Sequence, residues 1–273
     1  MSNSIGDILK SMGVLYNIET LEMTREQWQQ KKIDDYNATA GKLDEVDGLN
    51  CTVCKNKGHM LVLDNEYREA YRECKCMKTR ATLRRARNSG LGDILTDFTF
   101  DKFIVTEDWQ KALKDRAQAF CNDDAAKWFF IGGQVGCGKT HLCTAISAYY
   151  IKAGYDLKYM LWAEESKKLK ALVNDENYQR EIQQYKEIPV LYIDDFLKTR
   201  QGEEPTNGDI NIAFEIINHR LLSKDKITII SSEKMLDEII DYDEATMSRV
   251  SQKTGVYKLN IQKDRARNYR LRG

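Results

Sequence analysis

The residues best equipped for chemistry lie near the middle of the chain, where Phe129 to Thr144 reads FFIGGQVGCGKTHLCT. An apolar run breaks there into a glycine-rich loop and resumes as a helical pattern. Gly133, Gly136 and Gly138 let the main chain wrap an anion with successive N–H groups pointing inward, and the following helix offers its positive N-terminal end. Lys139 can reach the β- and γ-phosphates of a nucleotide, and the Thr140 hydroxyl is the short ligand that Mg²⁺ takes. Cys137 and His141 belong to the same binding segment. The string fits G-x-x-x-x-G-K-[ST] in the strand–loop–helix setting which that pattern needs.

A second group follows at VLYIDDF, where Val190, Leu191, Tyr192 and Ile193 are continuously apolar, as in a strand buried on both faces. In an open parallel sheet the tip of such a strand lies beside the phosphate loop. Asp194 is then placed to hold Mg²⁺ through its water shell and Asp195 to polarise the attacking water. Another apolar strand, Ile227 to Ser232, ends ISSE, and a polar residue at that tip (Ser231, Ser232 or Glu233) is expected to touch the γ-phosphate or the water.

A third group is richer in sulfur. Cys51 and Cys54 form C-x₂-C, Cys74 and Cys76 form C-x-C, and His59 stands between them. So short a segment buries too little apolar surface to fold alone, and a structural zinc supplies on the order of 10–16 kcal/mol of apparent binding energy. A Cys₄ zinc site is the expectation, with His59 in place of one thiolate as the alternative. Four protein ligands leave no open position, which favours scaffolding over catalysis. The intervening HMLVLDNEYREAYREC has the alternation and turn residues of a hairpin.

These groups must be positioned by an α/β scaffold. With 273 residues, 42% of them hydrophobic, the chain can build one large α/β domain and a smaller appendage. Lysine plus arginine equal aspartate plus glutamate at 42 each, so attraction to nucleic acid has to come from local patches. Two are candidates. Lys78, Arg80, Arg84, Arg85 and Arg87 form a basic helix and linker that is either a solvated face or a phosphate contact, and the tail carries Lys258, Lys263, Arg265, Arg267, Arg270 and Arg272 against Asp264. No run is long enough to span a membrane, MSNSIGDILKSMG is not a secretion signal, and the seven cysteines include two in the loop and its helix; a reduced, cytoplasmic protein is expected.

Helix signals begin at Thr24, with Gln27 as capping-box partner and a Met23–Trp28 staple. Strands are expected at Trp128–Gly132, Tyr155–Trp162, from Val190, at Ile227–Ser232 and at Val256–Ile261. Helices are expected from the phosphate loop to Gly154, at Glu164–Val173, Asp209–Ser223, Leu236–Asp241 and Ala245–Ser251, the last carrying Arg249. Phe98, Phe100 and Phe103 either line a base pocket or pack the domain entrance.

The cysteine module, basic linker, TFDKF box, GGQVGCGKTHL, LYIDDF, TIISSE and a helix containing SRV, in that order, resemble the DnaC/DnaI-type replicative helicase loaders. The resemblance is strongest to the shorter versions encoded by phages and prophages of Gram-positive bacteria. It implies an AAA+ ATPase, with a P-loop parallel sheet of five strands flanked by helices and a small N-terminal zinc-binding module that grips a hexameric helicase. The division it suggests is an N-terminal helical segment (1–47), zinc module (48–78), basic linker (79–97) and AAA+ domain (98–273). ATP, Mg²⁺ and Zn²⁺ are the implied cofactors; the helicase, single-stranded DNA and further copies of the chain are the implied partners, with no membrane. Lys139 and Thr140 then bind phosphate and Mg²⁺, Asp194 binds Mg²⁺, Asp195 takes a place usually held by glutamate, and Arg249 resembles a finger acting on a neighbouring subunit. Glu233 stands where a sensor asparagine is common, and either Arg267 or Arg270 is the second sensor. A transposition helper ATPase of the IstB type and a small-molecule P-loop kinase are the other readings.

Overall fold

The computed structural model describes residues 24–200 and 203–271, in two units that divide between Ala81 and Thr82. Met23 and Arg272 lie outside the described residues.

In the first unit, α1 (Arg25–Ala38) starts where the capping box places it. Thr24 Oγ1 accepts from the Gln27 N–H at 3.2 Å and Gln27 Oε1 accepts from the Thr24 N–H at 2.8 Å. A short α2 (Leu43–Asp47) precedes a hairpin of β1 (His59–Leu63) and β2 (Glu69–Glu73), with His59 opposite Glu73 and Leu63 opposite Glu69. The Asn37 side chain docks α1 on β1, donating to the Leu61 carbonyl at 2.9 Å and accepting from its N–H at 3.1 Å. Helix α3 (Cys76–Asn88) carries the chain across the division.

The second unit contains α4 (Ile94–Asp97), α5 (Asp108–Cys121), β3 (Trp128–Gly133), α6 (Lys139–Ala153), β4 (Leu157–Leu161), α7 (Trp162–Leu172), α8 (Tyr178–Glu187), β5 (Val190–Asp194), α9 (Asn207–Leu221), β6 (Ile227–Ser232), α10 (Leu236–Ile240), α11 (Glu244–Thr254) and β7 (Lys258–Ile261). The strands form one sheet in the order β4-β5-β6-β3-β7, every pair parallel. Every residue of β3, β5 and β6 is buried, which is why these strands read as unbroken apolar runs. Alternation still sorts the side chains. Trp128 and Phe130 of β3 join a core layer with Trp162, Ile193 and Phe196 on one face, while Phe129 and Ile131 pack with Leu142, Ile146 and Tyr192 on the other. The chain leaves β3 and returns at the far edge in β4, so the C-terminal tips of β3, β5 and β6 open onto a crevice.

At the other end of the strands, Arg220 closes the last turn of α9 with no exposed surface. Its guanidinium donates to the carbonyls of Ile188 (2.8 Å), Tyr185 (3.1 Å) and Ile227 (2.6 Å) and to Thr228 Oγ1 (2.9 Å). Burial pushes its pKa down to about 9, which still leaves a cation at neutral pH.

Besides the short helices α2 and α4, which the sequence does not signal, three elements differ from the sequence expectation. Helix α8 has no counterpart there, because its buried residues Tyr178, Ile182 and Tyr185 are thinly spread among charges and glutamines. The second strand is shorter, Leu157–Leu161, and Trp162 opens α7. Val256 and Tyr257 form a 3₁₀ turn that precedes β7.

Candidate functional site

Gly138 caps α6 at φ +94°, and a Cβ there would come within 2.6 Å of the Phe103 ring, so glycine is required where loop becomes helix. Lys139 is the first helical residue. It is only 7% exposed, and its ammonium donates back to the loop carbonyls of Gly133 (2.9 Å) and Gln134 (2.7 Å). The Thr140 hydroxyl lies 3.3 Å from Asp194 Oδ1.

Asp194 is 4% exposed at the tip of β5, and three other elements and its own following N–H converge on it. Besides Thr140 of α6, it accepts from Tyr159 Oη of β4 at 3.0 Å, from the hydroxyl of Ser231 on β6 and from the Asp195 N–H at 3.2 Å. The next residue, Asp195, has φ +55° and turns its carboxylate to Lys198, whose ammonium sits 2.8 Å from Asp195 Oδ2 and 2.7 Å from Glu233 Oε1. Burial works against the Lys198 cation, but the hydrogen bonds it donates to these two acids outweigh it and hold its pKa above the usual lysine value.

A pocket of about 350 Å³ joins these groups. Gly136, Gly138, Lys139, Thr140, Asp195, Lys198 and Glu233 line its polar end, and Phe98, Phe103, Ile104 and His141 line its apolar end. His141 stacks on Phe98 (4.9 Å between centroids, 19° between planes), meets Phe103 edge-on and sits 2.7 Å from the Thr99 carbonyl. Burial lowers its pKa in spite of that carbonyl, favouring a neutral, stackable ring. Phe100 packs into the core instead. The tail crosses the loop: the Tyr269 N–H donates to the Gly136 carbonyl (2.9 Å) and its hydroxyl to the Ile104 carbonyl (2.8 Å). Arg270 lines the pocket, whereas Arg267 lies 5.6 Å from the Trp109 ring centroid.

Some sequence candidates lie elsewhere. The Cys137 thiol is buried on the Gln134 carbonyl (2.9 Å), so its main chain is what remains for a ligand. The Ser232 hydroxyl is buried and donates to the Phe196 carbonyl (2.8 Å), which fixes the loop after β5. Arg249 is exposed on α11, lines no part of this pocket and has no ion pair among the described residues. Tyr159, Lys198 and Tyr269 have no role that the sequence signals; the nearest hint is that cations, Lys198 and Arg200, follow the Asp194–Asp195 pair.

In the first unit the sulfurs of Cys51, Cys54, Cys74 and Cys76 lie within 4.8 Å of one another. Cys51–Cys74 is 3.8 Å and Cys54–Cys76 is 3.6 Å, against an edge of about 3.8 Å for a tetrahedron with metal–sulfur bonds near 2.3 Å. These four thiols fit a tetrahedral metal ion. Lys55 and Asn56, at φ +46° and +64°, make the turn, and Asn56 Oδ1 accepts from the Cys51 N–H at 2.7 Å. The main-chain N–H of Cys54 is foremost in pulling the Cys51 thiol down to about 7. Arg80 is buried on Asp47, the Leu49 carbonyl and Asn56, so it serves this unit rather than a phosphate backbone. His59 is bonded to the Tyr36 hydroxyl at 2.5 Å and takes no part in the cluster.

A parallel five-stranded sheet with a phosphate loop after β3 and paired acids at the tip of β5 defines a P-loop ATPase of the AAA+ class. The chain belongs to the bacterial DnaA ATPase domain family, which it matches over residues 94–257. It is 31% identical to YqaM of Bacillus subtilis over 219 residues, which is 76% of this chain and 69% of that protein. It is 27% identical to XkdC of the B. subtilis phage-like element PBSX, over 78% of this chain and 82% of that protein. Chromosomal replication initiator DnaA of Mycoplasma genitalium is 30% identical over 60% of this chain, which spans only 37% of that protein. Among solved structures, the DnaC helicase loader shares the fold at a TM-score of 0.51 and 19% identity, covering 63% of this chain and all of that one. DnaI does so at 0.50 and 18%, covering 62% and 92%. No helix among the described residues is long and apolar enough to cross a membrane.

Lys139→Ala should remove tight ATP binding, read by fluorescent-nucleotide titration. Because the ammonium also satisfies two loop carbonyls, unfolding by denaturant should show a stability loss of about 1–3 kcal/mol. ATP affinity equal to that of wild type would contradict the site.

Proposed function

We propose that this chain is an ATP-switched loader that binds a replicative hexameric helicase and delivers it onto single-stranded DNA as replication starts. The observation that carries this reading is the joining, on one chain, of a DnaA-type ATPase unit to a separate unit organised by four thiols. The fold shared with the DnaC helicase loader over the whole of that chain supports it. In this reading residues 98–273 are the motor, 79–97 the basic linker, 48–78 a zinc-bound grip on the helicase and 1–47 its helical extension.

Within the motor, Gly136, Gly138 and Lys139 receive the phosphates of ATP. Thr140 and Asp194 hold Mg²⁺, which neutralises charge between the β- and γ-phosphates. Asp195 polarises the attacking water, Glu233 faces the γ-phosphate, and Ser232 supports both by anchoring Phe196. Phe98, Phe103 and His141 take the base, and Arg270 serves as the second sensor. Arg249, exposed and away from its own pocket, completes the site of a neighbouring copy, which makes self-association part of the function.

Gel filtration of the protein with the replicative helicase of its host tests the reading directly. Co-elution with ATP is expected, along with its loss in Lys139→Ala; no complex in either nucleotide state would overturn it.

Metal analysis of protein prepared without chelator should find about one zinc per chain, and Cys74→Ser should lose it and unfold the first unit while nucleotide binding persists. Protein that folds without metal would refute the zinc assignment.

Arg249→Ala should keep ATP affinity yet lose assembly-stimulated hydrolysis, since a finger acting in trans is worth about 10³–10⁵ in rate in the strongest cases. Mixing it with Lys139→Ala protein should restore part of the turnover. Wild-type hydrolysis by Arg249→Ala under assembling conditions would exclude the role.

A further inference from the structure

The polar end of the pocket poses a problem of charge. Asp195 and Glu233 both line it, and the Asp194 carboxylate lies within hydrogen-bonding distance of Thr140 beside them. A nucleotide brings its most highly charged group, the γ-phosphate, to this end. Carboxylates facing phosphate oxygens repel them, so a cation has to stand between. Mg²⁺ on Thr140 and Asp194 would answer for Asp194; Lys139 is held on the loop carbonyls, Lys102 bonds the Thr96 carbonyl, and Arg270 reaches the pocket from the tail, away from Asp195 and Glu233 in its bonding. Lys198 is the cation placed among the acids.

Its position is built. Asp195 and Leu197 both adopt left-handed backbone conformations, φ +55° and +54°, that non-glycine residues keep only where their surroundings enforce them. Two bonds to β6 do so: the Phe196 N–H donates to the Ser231 carbonyl at 2.8 Å, and the Phe196 carbonyl accepts from the Ser232 hydroxyl at 2.8 Å. The Lys198 N–H then closes on the Asp195 carbonyl at 3.0 Å. From this fixed root the flexible stem reaches two carboxylates, and an ammonium has three donors. Two carboxylates leave one donor of the ammonium for a further acceptor in the pocket that Lys198 lines.

The geometry points to Lys198 as the residue that distinguishes ATP from ADP: held between Glu233 and Asp195, its ammonium is the donor to the γ-phosphate. The Lys198–Glu233 pair thus does the work of a single polar side chain at the tip of β6, and it makes an acid tolerable there. With ADP the lysine stays on both carboxylates. With ATP it shifts toward the γ-phosphate and loosens its hold on Asp195, so that the triphosphate releases the carboxylate meant for the water. This rests on the nucleotide reading proposed above.

The test is titration of a fluorescent non-hydrolysable ATP analogue and of fluorescent ADP into wild type, Lys198→Met, Lys198→Gln and the double variant Lys198→Met/Glu233→Gln. Loss of one charge-assisted hydrogen bond should weaken the analogue about tenfold to a hundredfold in both single variants, and ADP by no more than about twofold. The double variant should regain part of the loss, because the uncompensated carboxylate is gone. Lys198→Gln answers the question if Lys198→Met does not fold. Equal weakening of both nucleotides, or no change in either, would overturn the assignment. If wild type binds neither nucleotide, or binds both as well when Lys139 is alanine, the nucleotide reading fails first and Lys198 with it.

Discussion

Everything at the pocket depends on a carboxylate that is almost out of reach of water. Burying Asp194 without partners would cost several kilocalories per mole, so the fold surrounds it with donors from three separate elements and its own following N–H. Each bond constrains something else. Tyr159 sets the tip of β4 against β5, Ser231 sets β6 against β5, and Thr140 brings the start of α6, and with it the phosphate loop, to the same point. The register of the sheet and the position of the loop are therefore two aspects of one satisfied polar group.

The two units reach stability by different physics. Residues 82–271 hold two apolar layers on either side of a parallel sheet, enough for an ordinary hydrophobic core. The first unit has few buried apolar side chains among its described residues, chiefly Ile33, Leu61 and the cysteines. Its order rests on local polar devices: the Asn56 side chain bracing the Cys51–Cys54 turn, Arg80 gathering Asp47, Leu49 and Asn56, and Asn37 sealing α1 to β1. A metal ion held by four thiols would supply what hydrophobic burial does not.

What could be read from the sequence was what is local. The phosphate loop, the acids closing an apolar strand and the C-x₂-C and C-x-C pairs each fit within a few residues, and β3, β5 and β6 announce themselves because burial on both faces leaves no polar interruption. Contacts that join distant residues left no such trace. Tyr159 and Ser231 reach Asp194 across 35 and 37 residues, and Tyr269 reaches Ile104 across 165. Helix α8 leaves no clear signal for a related reason, since its apolar positions gain meaning only from the partners they meet. Spacing also could not choose between His59 and a fourth cysteine; the choice is made in space, where His59 meets Tyr36.

Arg220 gives the sheet a mechanical polarity. Its planar fork binds carbonyls at the end of α8 and at the starts of β5 and β6, at the end of the strands remote from the phosphates. A lysine, with a single ammonium, could not bridge them in the same way. The sheet therefore behaves like a comb clamped along its spine: the strands cannot slide past one another, and a force applied at the tips has to bend what projects from them. The loops at the tips and the tail that crosses them carry no such clamp from Arg220.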